Sequence, residues 1–287
     1  MTCAFIVLTH MGPENLARLS SRLDPHEVHV HVDSKLGKSE FDAFVSKTAR
    51  LPNVSFVARH RSAWASWGLV AAAMEGLKAA MKSSAWSHVM LLSGQDYPLM
   101  SAEEMRLFFD AHRELSFVAH WRLPTSLWGK DGGMRRVRYW HQPMLGKRVF
   151  IPIPRRHPAD IAPVGGPMYW CLNREAATAL LEFFETRQEV VNFYRHVWIP
   201  DELFVPTAVM NGPCSQQVAG EALTYIRWSN PGSAHPDMLT LEDGPKLLAA
   251  AAHGSGVGGH ARRKLFARKI NYVRDRALLD FLDQAAI

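Results

Sequence analysis

Cysteine is scarce in this chain. Cys3, Cys171 and Cys214 are odd in number, far apart and in no paired spacing, which excludes a disulfide framework and a paired-cysteine zinc site. No apolar run approaches the roughly 18–20 residues needed to cross a bilayer. The start, MTCAFIVLTH, lacks a basic leader and a small-residue cleavage site, so it reads as a buried first strand. Neither GxGxxG nor GxxxxGK[ST] occurs, which removes the usual support for dinucleotide or P-loop binding. No repeat is evident. These absences point to a globular protein of a reducing, cytoplasmic compartment.

Apolar material is plentiful, at 47% of 287 residues, enough for one large core. The formal net charge of +6 calls for an anionic partner: nucleotide phosphate, nucleic acid or a membrane surface. Basic residues concentrate at Arg135–Arg138, Lys147–Arg156 and Arg262–Lys269. The first two clusters could touch anionic lipid carrying an acceptor, a peripheral contact at the inner face of a membrane. An RNP, helix-turn-helix or zinc signature is missing, so nucleic acid is not expected as a partner.

The first third alternates apolar strands with amphipathic helices. Strands are expected at Ala4–Thr9, Val28–Val32, Val54–Val57, His88–Leu92 and Ser116–Ala119, with helices at Pro13–Arg22, Phe41–Ala49, Leu69–Lys82 and Ala102–His112. That rhythm predicts an α/β fold, a Rossmann-like parallel sheet with helices on both faces, as in doubly wound folds. Ligands of such sheets collect at the carboxyl ends of the strands, here Thr9-His10, Val32-Asp33, Arg59–Trp64 and Ser93–Asp96. Periodicity fades over Trp121–Pro167, a length typical of a functional excursion. Order returns with a strand at Met168–Leu172 and a helix Arg174–Thr186 capped by Asn173. In Trp198-Ile199-Pro200-Asp201-Glu202, proline and two acids suit a helix start, so Asp201 and Glu202 are expected to open a helix over Leu203–Met210. The tract Ala249–Gly259 reads as a mobile loop.

The ordered set FIVLTH, VHVHVDSK, WASWGLVAAAMEGLKAA, HVMLLSGQDYPLMS, GGPMYWCLNREA, WIPDELF, Tyr225–Trp228 and LFARKI resembles the core-2/I-branching β-1,6-N-acetylglucosaminyltransferase family, glycosyltransferase family 14, which includes peptide O-xylosyltransferases. The resemblance implies a GT-A glycosyltransferase fold over residues 1–287, with a nucleotide-binding half (1–120) and an acceptor-binding, catalytic half (121–287). It also implies inverting transfer of a sugar from a UDP-sugar, N-acetylglucosamine first and xylose second, to a hydroxyl of a glycan or glycolipid. The family's base falls on Glu202, with Asp201 beside it as a helix cap. Many GT-A enzymes hold a metal with a DxD motif; no Asp-x-Asp occurs here, consistent with metal-independent chemistry and no cofactor. Lys269 then matches the diphosphate-binding lysine, with Arg268 as helper.

A second diphosphate cation of the family falls on Asp237, which has the wrong charge; Lys246, Arg262 and Arg263 are the candidate replacements, and closure of Gly254–Gly259 is expected to bring Arg262 and Arg263 towards the phosphates. Asp33 and Trp64 match nucleoside-contacting positions, His10 and Asp96 join them at the expected cleft, and Trp228 and Tyr139 match positions facing acceptor sugar rings. The rival reading is a noncatalytic nucleotide- or carbohydrate-binding protein with the same fold.

Overall fold

A computed structural model describes residues 1–144, 147–230, 233, 235–252 and 263–285. The first half runs β1 (Thr2–Thr9), α1 (Pro13–Leu23), β2 (Glu27–Val32), α2 (Lys38–Thr48), β3 (Val54–Phe56), α3 (Trp67–Ala80), β4 (Trp86–Ser93), β5 (Tyr97–Pro98), α4 (Ala102–Ala111) and β6 (Ser116–Phe117). Then come β7 (Trp121–Arg122), α5 (Met134–Arg138), the hairpin β8 (Tyr139–Met144) and β9 (Lys147–Pro154), β10 (Val164–Gly165), β11 (Cys171–Asn173), α6 (Arg174–Thr186) and α7 (Gln188–Tyr194). The chain closes with α8 (Phe204–Met210), β12 (Val218–Ala219), β13 (Thr224–Ile226), α9 (Gly244–Ala252), β14 (Phe266–Arg268) and α10 (Arg276–Ala285).

The main sheet is mixed, in the order β12-β6-β11-β4-β1-β2-β3. β4, β1, β2 and β3 are mutually parallel, whereas β11 runs antiparallel to both β4 and β6. Uninterrupted apolar sequence makes β1 a central strand covered on both faces. Its alternation divides two cores. Cys3, Phe5 and Val7 face α1, α4 and α10, while Ala4, Ile6 and Leu8 face α3, α6 and α8. Full burial of Phe5 or Ile6 contributes about 1.5–3 kcal/mol each.

The helices form where sequence period and caps agree. α1 starts at Pro13, whose fixed φ suits a first turn, and buries Leu16, Leu19 and Leu23. In α6 the Asn173 side chain accepts a hydrogen bond from the Ala176 amide (2.9 Å), as its type predicts. Three expectations need correction. The excursion after Trp121 is partly ordered as a helix and the β8–β9 hairpin, whose alternating pattern is too proline-rich to read as strand from sequence. Asp201 and Glu202 lie in a 3-10 turn, Pro200–Glu202, and α8 begins only at Phe204, entered through Leu203 with no side-chain cap. Likewise Ala249–Ala252 completes α9, and the rest of that glycine-rich tract lies outside the described residues.

A second sheet, β13-β14-β5, is what brings distant motifs together. β14 pairs in parallel with β13 and antiparallel with β5, so LFARK lies between the Tyr225–Trp228 segment and SGQDYP at the end of β4.

Gly166 secures the other wall. A Cβ there would stand 2.2 Å from the Ala119 carbonyl oxygen, and its amide donates to the Glu202 carbonyl (2.9 Å). Gly166→Ala is therefore expected to destabilise the fold by about 2 kcal/mol, since backbone must move to admit the methyl. Denaturant unfolding checks this; an unchanged midpoint would contradict the tight approach.

Candidate active site

A cavity of about 360 Å³ opens at the carboxyl ends of β1 and β4, the crevice where open α/β sheets receive ligands. Its floor is Thr9, Ser93 and Gly94; a Cβ on Gly94 would lie 2.4 Å from the Thr9 hydroxyl, so only glycine lets the two strand ends meet. One wall carries Asp201 and Glu202, and the other carries Arg268 and Lys269. Trp64 and Trp228, both well exposed, flank the mouth.

The Glu202 turn is entered through Ile199 in the left-handed region (φ 56°), and Ala65 beside Trp64 is also left-handed (φ 57°). Such backbone in a non-glycine residue costs on the order of 1–3 kcal/mol, so packing must impose it at both places. Arg136 of α5 pairs with the Glu202 carboxylate at 2.9 Å and lies over the Trp128 ring, 3.8 Å from its centroid. Burial pushes the Glu202 carboxyl above its ordinary range, and the Arg136 charge and hydrogen bond pull against that shift. The outcome is a partly shielded carboxylate that is easier to protonate than one in water.

Opposite it, Arg268 is partly buried, its side chain 15% exposed. Its guanidinium bonds the Ser93 hydroxyl, pairs with Asp96 at 3.4 Å and sits 4.5 Å from the centroid of the Tyr169 ring. Lys269 follows directly; burial, and then its neighbour Arg268, lower its ammonium below the ordinary lysine range. Two adjacent cations on one wall favour an anionic ligand.

Of the residues singled out from sequence, Glu202, Lys269, Arg268, His10, Trp64 and Trp228 line this cavity together. Three others do not. Asp96 is fully buried and does not line the cavity; its carboxylate accepts from the Ser93 amide and pairs with Arg268. Tyr139 stands on the β8–β9 hairpin with its ring 5.2 Å from that of Phe150 and is not among the residues lining the cavity. Asp33 lies one layer back: burial opposes its ionisation, but hydrogen bonds from the Lys35 amide and from Ser62, a lining residue, hold its carboxyl below the usual range.

Asp237 also turns from the cavity, accepting from the Ser229 amide (2.8 Å) and pairing with Arg227 (3.3 Å). Among its candidate replacements, Arg263 donates to the Ala251 carbonyl (2.6 Å), Lys246 is exposed on α9 and does not line the cavity, and Arg262 lies outside the described residues. Sequence reasoning missed Arg136 and Tyr169. Arg136 belongs to the basic run Arg135–Arg138, and only its approach to Glu202 distinguishes it. Tyr169 lay inside a quoted motif with no role attached.

A family model described as Core-2/I-Branching enzyme matches residues 3–248. Among similar proteins, xylosyltransferase 2 of Rattus norvegicus is 23% identical over 79% of this chain and 26% of its own length, and xylosyltransferase 1 of Homo sapiens 21% identical over 79% and 24%. Xylosyltransferase oxt of Drosophila pseudoobscura pseudoobscura is 21% identical over 90% of this chain and 30% of its own. The chain thus spans about a quarter to a third of the length of these relatives. A solved structure, a putative glucose-1-phosphate thymidylyltransferase of Bacillus anthracis in complex with a sucrose, aligns with a TM-score of 0.33 at 10% identity, over 67% of this chain and 81% of its own.

The electrostatics of the pair can be tested directly. Arg136 favours the ionised form of Glu202, so Arg136→Met is expected to raise the pH at which Glu202 takes up a proton. A carbon-detected NMR titration of the Glu202 carboxyl measures it, and an inflection unmoved or shifted to lower pH would contradict the pairing.

Proposed function

Because the chain belongs to the Core-2/I-branching enzyme family, we propose that it transfers a sugar from a UDP-sugar to a hydroxyl of a glycan or glycolipid acceptor, with inversion and without a metal. The observation that carries this reading is the facing of one raised carboxylate, Glu202, and two adjacent cations, Arg268 and Lys269, across a single cavity.

In the proposed reaction the acceptor hydroxyl loses its proton to Glu202 as its oxygen bonds to the anomeric carbon. The bond from that carbon to the UDP oxygen breaks on the opposite face, and its electron pair leaves with UDP. A raised carboxylate suits this task, being a better proton acceptor than one of ordinary pKa. Negative charge grows on the diphosphate as the bond breaks, and Lys269 and Arg268 are the groups positioned to oppose it. Arg268 takes the second-cation role that Asp237 lacks the charge to fill. The Asp96 carboxylate lies behind Arg268 and is already balanced by it, which supports cations over a carboxylate-held metal at this strand end. Trp64 and Trp228 offer apolar faces to nucleoside and acceptor rings. N-acetylglucosamine is the first reading for the donor sugar; xylose is the second, favoured by the names of the relatives.

Glu202→Gln is expected to keep UDP affinity and to lower transfer by about 10²- to 10⁴-fold, because the amide keeps the shape and accepts no proton. Lys269→Ala should lower kcat by about 10²-fold while UDP affinity falls by less, since its charge counts most as the bond breaks. Calorimetry with UDP, and transfer assays with UDP-N-acetylglucosamine and UDP-xylose, measure both. A fully active Glu202→Gln variant removes Glu202 from the base role; UDP binding in wild type without transfer to any acceptor would favour the noncatalytic alternative.

A chelator is expected to leave transfer within about twofold of its untreated rate, because fixed cations here stand where a metal would otherwise act. A strict requirement for Mg²⁺ or Mn²⁺ would overturn the metal-independent assignment.

A further inference from the structure

We infer that the surface built by the Ser126–Trp128 turn, α5 and the β8–β9 hairpin docks on an anionic lipid bilayer. Between Asp131 and Asp160 the sequence has no carboxylate, yet it carries Arg135, Arg136, Arg138, Lys147, Arg148, Arg155 and Arg156. Two of these cations face inward. Arg136 is neutralised by Glu202, and Arg155 is held between the Trp140 and Phe193 rings while donating to the Phe193 carbonyl (2.6 Å). Arg135, Arg138 and Arg156 remain exposed. The flanking carboxylates offset them little: Asp131 accepts from the Gly133 and Arg135 amides, and Asp160 pairs with Arg187.

The same pieces expose large apolar side chains. Leu127 is 68% exposed, Ile153 59% and Phe150 39%. These pieces adjoin. Arg135 stands over Phe150, Arg136 over Trp128 of the turn, and the Arg155 amide of the segment after β9 donates to the Arg138 carbonyl of α5 (2.7 Å). Exposed aliphatic groups among arginines match the interface of an anionic bilayer, where headgroup charge attracts the cations and the acyl boundary takes the apolar tips. The side chains exposed furthest, Leu127 and Ile153, are aliphatic, whereas a nucleic acid is met chiefly by exposed aromatic faces on which bases stack.

The surface also borders the cavity. The His141 ring of β8 lies 5.3 Å from that of Trp198, which in turn lies 6.4 Å from that of Trp64 at the mouth. Docking would therefore set the acceptor side of the cleft near the headgroups, suiting an acceptor carried on a lipid. That last step rests on the proposed function, whereas bilayer binding does not.

Cosedimentation with vesicles tests the inference, using phosphatidylcholine alone and phosphatidylcholine with about a third phosphatidylglycerol, without donor or acceptor. Binding to the anionic vesicles only, weakening with salt, is expected. Each exposed cation near such a surface should strengthen binding about fivefold, so Arg135→Glu/Arg138→Glu/Arg156→Glu should weaken it by about 100-fold or more. Leu127→Ser/Ile153→Ser should weaken it about tenfold at unchanged charge. UDP affinity, by calorimetry, should stay within about twofold in both variants, which separates this surface from the cleft and reports on folding. No binding to anionic vesicles overturns the inference. So does full binding by either variant, or tighter binding of single-stranded RNA at the same salt with Leu127 and Ile153 irrelevant.

Discussion

The buried pair between Arg268 and Asp96 is the interaction on which the site depends. Asp96 follows β4 of the main sheet, and Arg268 ends β14 of the small one. The joint is reinforced by the Tyr272 hydroxyl donating to the Asp96 carbonyl (2.6 Å) and the Ile270 amide to the Gln95 carbonyl (3.0 Å). A buried ion pair is weak evidence of net stability, but removing one partner strands the other, at about 3–5 kcal/mol. Its consequence is positional. Together with the β14–β5 ladder, it holds the LFARK segment against the end of β4 and so sets the place of the cationic wall.

The two walls are built on different electrostatic terms. At Glu202, burial works against charge and Arg136 restores part of it, leaving a carboxylate ready to take a proton. On the facing wall Asp96 favours the charge of Arg268, whereas burial and the neighbouring Arg268 lower the ammonium of Lys269. A proton acceptor and a fixed positive field, held apart across a cavity, are what an inverting displacement requires of its enzyme. The left-handed backbone at Ile199 and Ala65 shows that the scaffold bears local strain at two edges of that cavity.

The hairpin and the site share α5. Arg136 reaches inward to Glu202, while Arg135 and Arg138 on the same short helix face solvent. One run of basic sequence thus divides between tuning a carboxylate and presenting charge at the surface, and the periodicity of a five-residue helix decides which cation does which.

Sequence alone carried the strand and helix rhythm of the first half, the Asn173 cap and most of the residues lining the cavity, because these depend on local period, cap chemistry and motif order. The parallel run of β1 to β4 was legible for the same reason: central strands must be apolar on both faces. Contacts between segments far apart in the chain were not legible. Asp96, expected at the ligand, proved to be the counter-ion of Arg268, 172 residues away. Tyr139 went to a hairpin and not to the cavity lining, and Arg136, one of a run of basic residues, became the partner of Glu202. Residue type specifies what a side chain can do, but burial and the approach of a second charge set its ionisation and its partner. Those come into being only when the two sheets close on each other.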